Sequence, residues 1–238
     1  MKKSIFKKFS PLLLLAVTSP LFAHIPVLAP ETGDLSLHSY YISNSKLSRA
    51  VYSDLESEKD FDFYTFNLSE ESEGTLQVLV PKCTAGVEES KFDIPYYEAF
   101  QPTALLMAGE IRIKDINETK EQYVSFLKKN AVVVASSTFK VGQRPSSTDP
   151  DARQTWWLGG KVDGAKLGAG LYTVVVFDET GMPGNYVIGL QKEEGFTPTI
   201  IDFIKSNQNT ISDGFCSPKG FSEKINLPTA QSQESTGL

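Results

Sequence analysis

Gly170-Leu171-Tyr172-Thr173-Val174-Val175-Val176-Phe177-Asp178, then Glu179-Thr180-Gly181-Met182-Pro183, then Gly184-Asn185-Tyr186-Val187-Ile188-Gly189-Leu190: this stretch decides the fold class. Both arms are dominated by β-branched and aromatic residues, which suit a pleated, buried surface. Apolar runs of this length, bounded by Gly, Asp and Pro, read as strands rather than helices. Two such runs joined by a Gly-containing turn predict a hairpin.

The same signals recur on the N-terminal side. Residues 61–68, Phe61-Asp62-Phe63-Tyr64-Thr65-Phe66-Asn67-Leu68, alternate. Phe61, Phe63, Thr65 and Asn67 face one way, and Asp62, Tyr64, Phe66 and Leu68 the other. A Ser/Glu/Gly turn leads into a strand at 75–81, so 61–81 reads as another hairpin. Further strands are expected at 48–52, 103–108, 131–135 and 155–158. An acidic turn covers 53–60, and a polar loop covers 141–153. Helical spacing of Tyr123, Phe126 and Leu127, with Glu118 and Glu121 ahead of Lys128 and Lys129, predicts a helix over 117–129. A second short helix is expected at 198–205. These elements predict a mainly antiparallel β-sandwich, jelly-roll-like, with one or two short helices.

Two segments together resemble a known family. Asp60-Phe61-Asp62-Phe63-Tyr64-Thr65-Phe66 has the form D-x-D-x-Y-x-F. Gly170-Leu171-Tyr172-Thr173-Val174 with Gly184-Asn185-Tyr186-Val187-Ile188 has the form of a closing Gly-x-Tyr pair. The chain resembles the bacterial pre-peptidase C-terminal-like β-sandwich across residues 46–190, with 117–153 as an insertion. The resemblance implies the fold, and an accessory module of secreted proteins that binds rather than catalyses. It implies no site residue.

The first 23 residues set the compartment. Lys2, Lys3, Lys7 and Lys8 precede the apolar run Leu12-Leu13-Leu14-Leu15-Ala16-Val17, and Pro20 and the small residue Ala23 follow. Basic, apolar, small is the order of a cleavable signal peptide. The apolar run falls short of the roughly 20 residues a spanning helix needs. The expected organisation is a signal peptide at 1–23, an extended N-terminal segment at 24–45, the β-sandwich at 46–205, and an irregular, partly disordered tail at 206–238. Cleavage after Ala23 removes four lysines and no acid, leaving 19 basic against 29 acidic residues. Such an acidic surface repels nucleic acid and anionic membrane. The expected location is the periplasm or the cell exterior.

Four groups of residues are candidates for chemistry. Cleavage after Ala23 would make His24 the N-terminus, offering an α-amine and an imidazole. With His38, the only other histidine, it forms a nitrogen set suited to copper(II). Either histidine is equally readable as an ordinary residue. Asp54, Glu56, Glu58, Asp60 and Asp62 form an acid cluster that reads as a Ca²⁺ loop or as a solvated turn. EF-hand spacing is absent from it. Trp156 and Trp157 are neighbours on a strand and face opposite sides, so one is expected in the core, and the other reads as an exposed platform for a sugar or a protein or as covered by loops. Cys83 and Cys216 make an even pair, read as one disulfide in an oxidising compartment or as two free thiols. No Gly-x-Ser-x-Gly occurs, and a catalytic triad would have to use His24 or His38. The sequence therefore points to a non-catalytic exported binding protein for an unknown small ligand, carbohydrate or protein. Copper binding, with copper-dependent oxidase chemistry as its catalytic variant, and a structural or adhesive role are the alternatives.

Overall fold

The computed structural model describes residues 25–28, 39–43, 48–82, 100–109, 111, 122, 124, 125, 127, 132–139, 145–149 and 154–191. Twelve strands occur among them. They are β1 (Ile25–Leu28), β2 (Tyr40–Tyr41), β3 (Arg49–Leu55), β4 (Asp62–Leu68), β5 (Ser72–Pro81) and β6 (Pro102–Ala108). The others are β7 (Val132–Ser137), β8 (Ser146–Asp149), β9 (Gln154–Leu158), β10 (Val162–Leu167), β11 (Gly170–Asp178) and β12 (Gly184–Leu190). One sheet has the order β1-β3-β12-β5-β9-β8, with β10 also on β5; the other runs β2-β4-β11-β6-β7. The protein is a mainly β, two-sheet sandwich, as its sequence predicts. Helical turns are described at 122, 124, 125 and 127, inside the expected 117–129.

The alternation along β4 is realised residue by residue. Tyr64, Phe66 and Leu68 join Val51, Leu55, Val78, Val174, Val176, Tyr186 and Ile188 between the sheets. Phe61 and Phe63 point the other way. They pack with Leu105, Met107, Val175, Phe177 and helical Leu127 on the outer face of the five-stranded sheet. This sheet is thus apolar on both faces, which is why β11 reads as an unbroken apolar run.

Both expected hairpins are corrected. β11 pairs with β4 and β6, whereas β12 pairs with β3 and β5 in the opposite sheet. β4 and β5 are likewise in different sheets. Each connector is an arch that carries the chain across the roughly 10 Å between packed sheets. In the second arch, Asp178 Oδ1 accepts from Thr180 N at 2.8 Å, Thr180 Oγ1 at 2.5 Å and Met182 N at 3.3 Å. Its Oδ2 accepts from Gln101 N at 2.6 Å. Gly181 has φ 75°, and a Cβ there would lie 2.9 Å from Glu58 Cβ.

Two further expectations change. The acidic turn expected from Ser53 starts later, because Ser53, Asp54 and Leu55 complete β3. The polar loop 141–153 contains β8, paired with β9. Within the expected N-terminal segment 24–45, β1 adds to β3 and β2 adds to β4, both in parallel. The helix expected at 198–205 lies outside the described residues. Among the described residues, no helix is long and apolar enough to cross a membrane.

Candidate functional site

The sequence candidates are dispersed. His24, His38, Cys83 and Cys216 lie outside the described residues. Trp156 is the buried tryptophan, 1 % exposed, with its ring 6.1 Å from Tyr52 and tilted 62° to it. Trp157 faces the inter-sheet core and is half-buried, with Lys82 Nζ 4.4 Å above its ring. Trp156 is closed off, and Trp157 keeps part of its surface. The acid cluster splits: Glu56 and Glu58 are exposed, while Asp54, Asp60 and Asp62 are buried. A fully solvated turn is therefore corrected to one whose carboxylates are partly structural. Asp60 Oδ2 accepts from Glu56 N at 2.7 Å and so fastens the turn. No group of three His, Cys, Asp or Glu able to hold a metal occurs among the described residues.

The strands bring together a polar set that the sequence did not announce. Asp62 and Tyr64 come from β4, Ser53 from β3 and Tyr186 from β12, so four side chains join both sheets. Tyr64 Oη and Tyr186 Oη lie 2.6 Å apart. Tyr186 Oη donates to Asp62 Oδ2, and Ser53 Oγ donates more weakly to the same oxygen at 3.4 Å. Tyr186 has one proton and directs it to Asp62, so Tyr64 must donate to Tyr186. The chain therefore has one polarity, Tyr64 to Tyr186 to Asp62. Burial pushes both phenols well above their ordinary range, and the Asp62 charge adds to the shift. Both stay neutral donors near neutral pH. Asp62, Tyr64 and Tyr186 have no exposed surface. The set cannot meet a substrate, and its role is to pin sheet to sheet.

A different polar corner reaches solvent. Arg49 opens β3, beside Ile25 of β1 on one side and Leu190 of β12 on the other. Side-chain alternation along β3 turns Arg49 the same way as Val51 and Ser53, towards the opposite sheet. Its Nη2 donates to Ser43 O at 3.1 Å, just beyond β2. Its Nε is enclosed and has no acceptor among the described residues. Burial lowers the guanidinium pKa somewhat, and nearby Tyr40 opposes that. Burial raises the Tyr40 phenol, and the guanidinium opposes it. Next along from Leu190, buried Gln191 has a left-handed φ of 63°, and its Oε1 has no donor among the described residues. Sequence patterning gave no sign of this corner, because an arginine at a strand end looks like any surface cation.

No protein family matches the sequence, and no curated protein matches it. Similar solved structures exist. The pre-peptidase C-terminal domain of collagenase from Bacillus anthracis is 12% identical, with a TM-score of 0.33, covering 64% of this chain and 94% of that one. PliG of Aeromonas hydrophila, a periplasmic inhibitor of g-type lysozyme, is 10% identical, with a TM-score of 0.28 and the same coverage, 64% and 94%. CorA, a surface-associated copper-binding protein important in copper acquisition by Methylomicrobium album BG8, is 8% identical, with a TM-score of 0.26, covering 71% and 100%. The resemblance to the pre-peptidase C-terminal β-sandwich is one of fold.

Proposed function

We propose that the chain is an exported binding protein that acts outside the cytoplasm without catalysis. The observation that carries this reading is the contrast between its two polar sets. The Ser53, Asp62, Tyr64 and Tyr186 set is sealed and structural, whereas the Arg49 corner reaches solvent and offers binding groups and, among the described residues, no nucleophile paired with a base. The basic-apolar-small leader at 1–23 supports export.

The test has two parts. The full chain is expressed in a bacterium, and the protein outside the cytoplasm is analysed for its N-terminus. Loss of residues 1–23 is expected; a cytoplasmic protein with its leader attached would sink the export claim. The mature protein is then screened by thermal shift against sugars, peptides, small acids and metal ions. A saturable ligand recovered chemically unchanged is expected, and turnover of any ligand would overturn the non-catalytic claim.

A second reading, copper binding by His24 and His38, is favoured by one observation. The residues following the two histidines are anchored around a single side chain: Ile25 pairs with Arg49, and Tyr40 lies within its electrostatic reach. The Arg49 charge opposes a cation there, so nitrogen ligation must outweigh that repulsion. Protein beginning at His24 is expected to bind one copper(II) ion, and an extra residue ahead of His24 is expected to abolish binding. Equal affinity of the two forms would dismiss this reading.

A further inference from the structure

We propose that Arg49 is an oxyanion-binding position at the β1/β2 side of the sandwich. The inference rests on the binding-protein reading and names a ligand class for it. Arg49 is half-buried, and its electrostatic neighbour there is a tyrosine, with no carboxylate paired to it among the described residues. A partly desolvated cation is costly without an opposing charge. The guanidinium satisfies one donor on the Ser43 carbonyl and leaves Nε–H without an acceptor. A guanidinium presents its N–H groups as a rigid fork that matches the two oxygens of a carboxylate or a phosphate.

The backbone holds this fork in place. Arg49 is clamped on both sides by strand pairing, to Ile25 and to Leu190. The Ser43 contact ties the guanidinium, carried by one sheet, to the segment just beyond β2 of the other. Solvent reaches the Nη side, where the Ser43 bond is exposed, so a ligand meets the Nη N–H groups, while Nε is enclosed. Tyr40 is half-buried and lies within electrostatic reach of the guanidinium. The ligand class is thus a small oxyanion: a carboxylate of a peptide end or sugar acid, or a phosphate or sulfate ester. The overall negative charge of the chain repels anions at long range, so binding depends on the fork and not on the general field.

The experiment uses the mature protein and three probes: acetate, inorganic phosphate and sulfate. Sodium chloride at matched ionic strength is the control. A saturable thermal shift beyond the chloride control is expected, together with perturbed NMR resonances of Arg49 Nε–H and Tyr40. Preference for acetate points to a carboxylate ligand, and preference for phosphate or sulfate points to an ester. Arg49→Gln is expected to abolish the response. Arg49→Lys keeps the charge but loses the fork, and is expected to weaken binding about tenfold. Tyr40→Phe is expected to weaken it less. No response beyond chloride, or an equal response in Arg49→Lys, would overturn the oxyanion assignment. Either result would leave export and the other ligands of the screen untouched, so the two failures are separable.

Discussion

At the scale of single residues, the inter-sheet chain from Tyr64 through Tyr186 to Asp62 makes the sharpest energetic claim. Tyr186 is the middle member, accepting from Tyr64 and donating to Asp62. Replacing it with Phe removes a donor from a buried carboxylate and an acceptor from a buried phenol. Hydrogen bonds to charged groups contribute about 1.5–3 kcal/mol, so Tyr186→Phe is expected to cost about 3 kcal/mol in urea unfolding. Tyr64→Phe removes only the terminal donor and is expected to cost about 1 kcal/mol. The double variant should cost less than the sum, because the two hydroxyls act as one chain. The pH dependence follows from the same burial. Both phenols are raised in the folded state, so below the unfolded value of about 10 both states are protonated and these groups give no slope. Above it the unfolded state loses protons that the folded state keeps. Stability then falls by up to about 1.4 kcal/mol per pH unit for each tyrosine. Urea titrations across the alkaline range should show this fall, and the double Phe variant should lose that part of the slope.

At the scale of elements, the arch between β11 and β12 depends on two residues. Asp178 holds four donors with two oxygens and has no exposed surface. Asp178→Ala is expected to destabilise by about 3 kcal/mol or more, because several enclosed donors lose their acceptor at once. Gly181→Ala adds a Cβ in a left-handed conformation, 2.9 Å from Glu58 Cβ. A cost of about 1–3 kcal/mol is expected from strain and overpacking, read from the denaturation midpoint. These arches also show how far the sequence could be read. Strand positions were legible because β-branched runs and the alternation of Phe61 to Leu68 are local signals. The sheet each strand joins was not, since a Gly turn serves a hairpin and an arch equally well. What separates them is that Tyr172, Val174 and Val176 face Tyr186, Ile188 and Leu190 across one core, a relation between strands that no window contains. β10 escaped notice for a different reason. Its Val-Asp-Gly-Ala-Lys-Leu is polar, and a register shift between Val162 and Ala165 spans Gly164, at φ 74°, so no alternation survives. The polar set was half legible: Asp62 and Tyr64 shared one face in the sequence, but their partners Ser53 and Tyr186 are supplied by the other sheet.

At the scale of the whole molecule, the N-terminal segment closes one side of the sandwich. β3 and β4 face each other across the core, as the Ser53–Asp62 contact shows. β1 covers the free edge of β3, and β2 covers the free edge of β4. Both additions are short and parallel, four and two residues long, and Pro26 in β1 cannot donate to a further strand. Ile42 N to Thr65 O at 2.8 Å continues the second addition, and Thr65 Oγ1 reaches Ser39 Oγ at 3.0 Å. Bare sheet edges template pairing with other chains. A protein beginning at Ser48 would expose two edges on one side, and would also strip Arg49 of its Ser43 acceptor and Tyr40 neighbour. Self-association is therefore expected, measured as concentration-dependent mass by light scattering, together with loss of any oxyanion response. Asn67→Lys, at the exposed position of β4, should reduce association without restoring the response, because edge charge opposes pairing but rebuilds no ligand contact. A truncated protein that stayed monomeric would show that β1 and β2 protect nothing. One that kept its oxyanion response would show that Arg49 binds without the corner built around it.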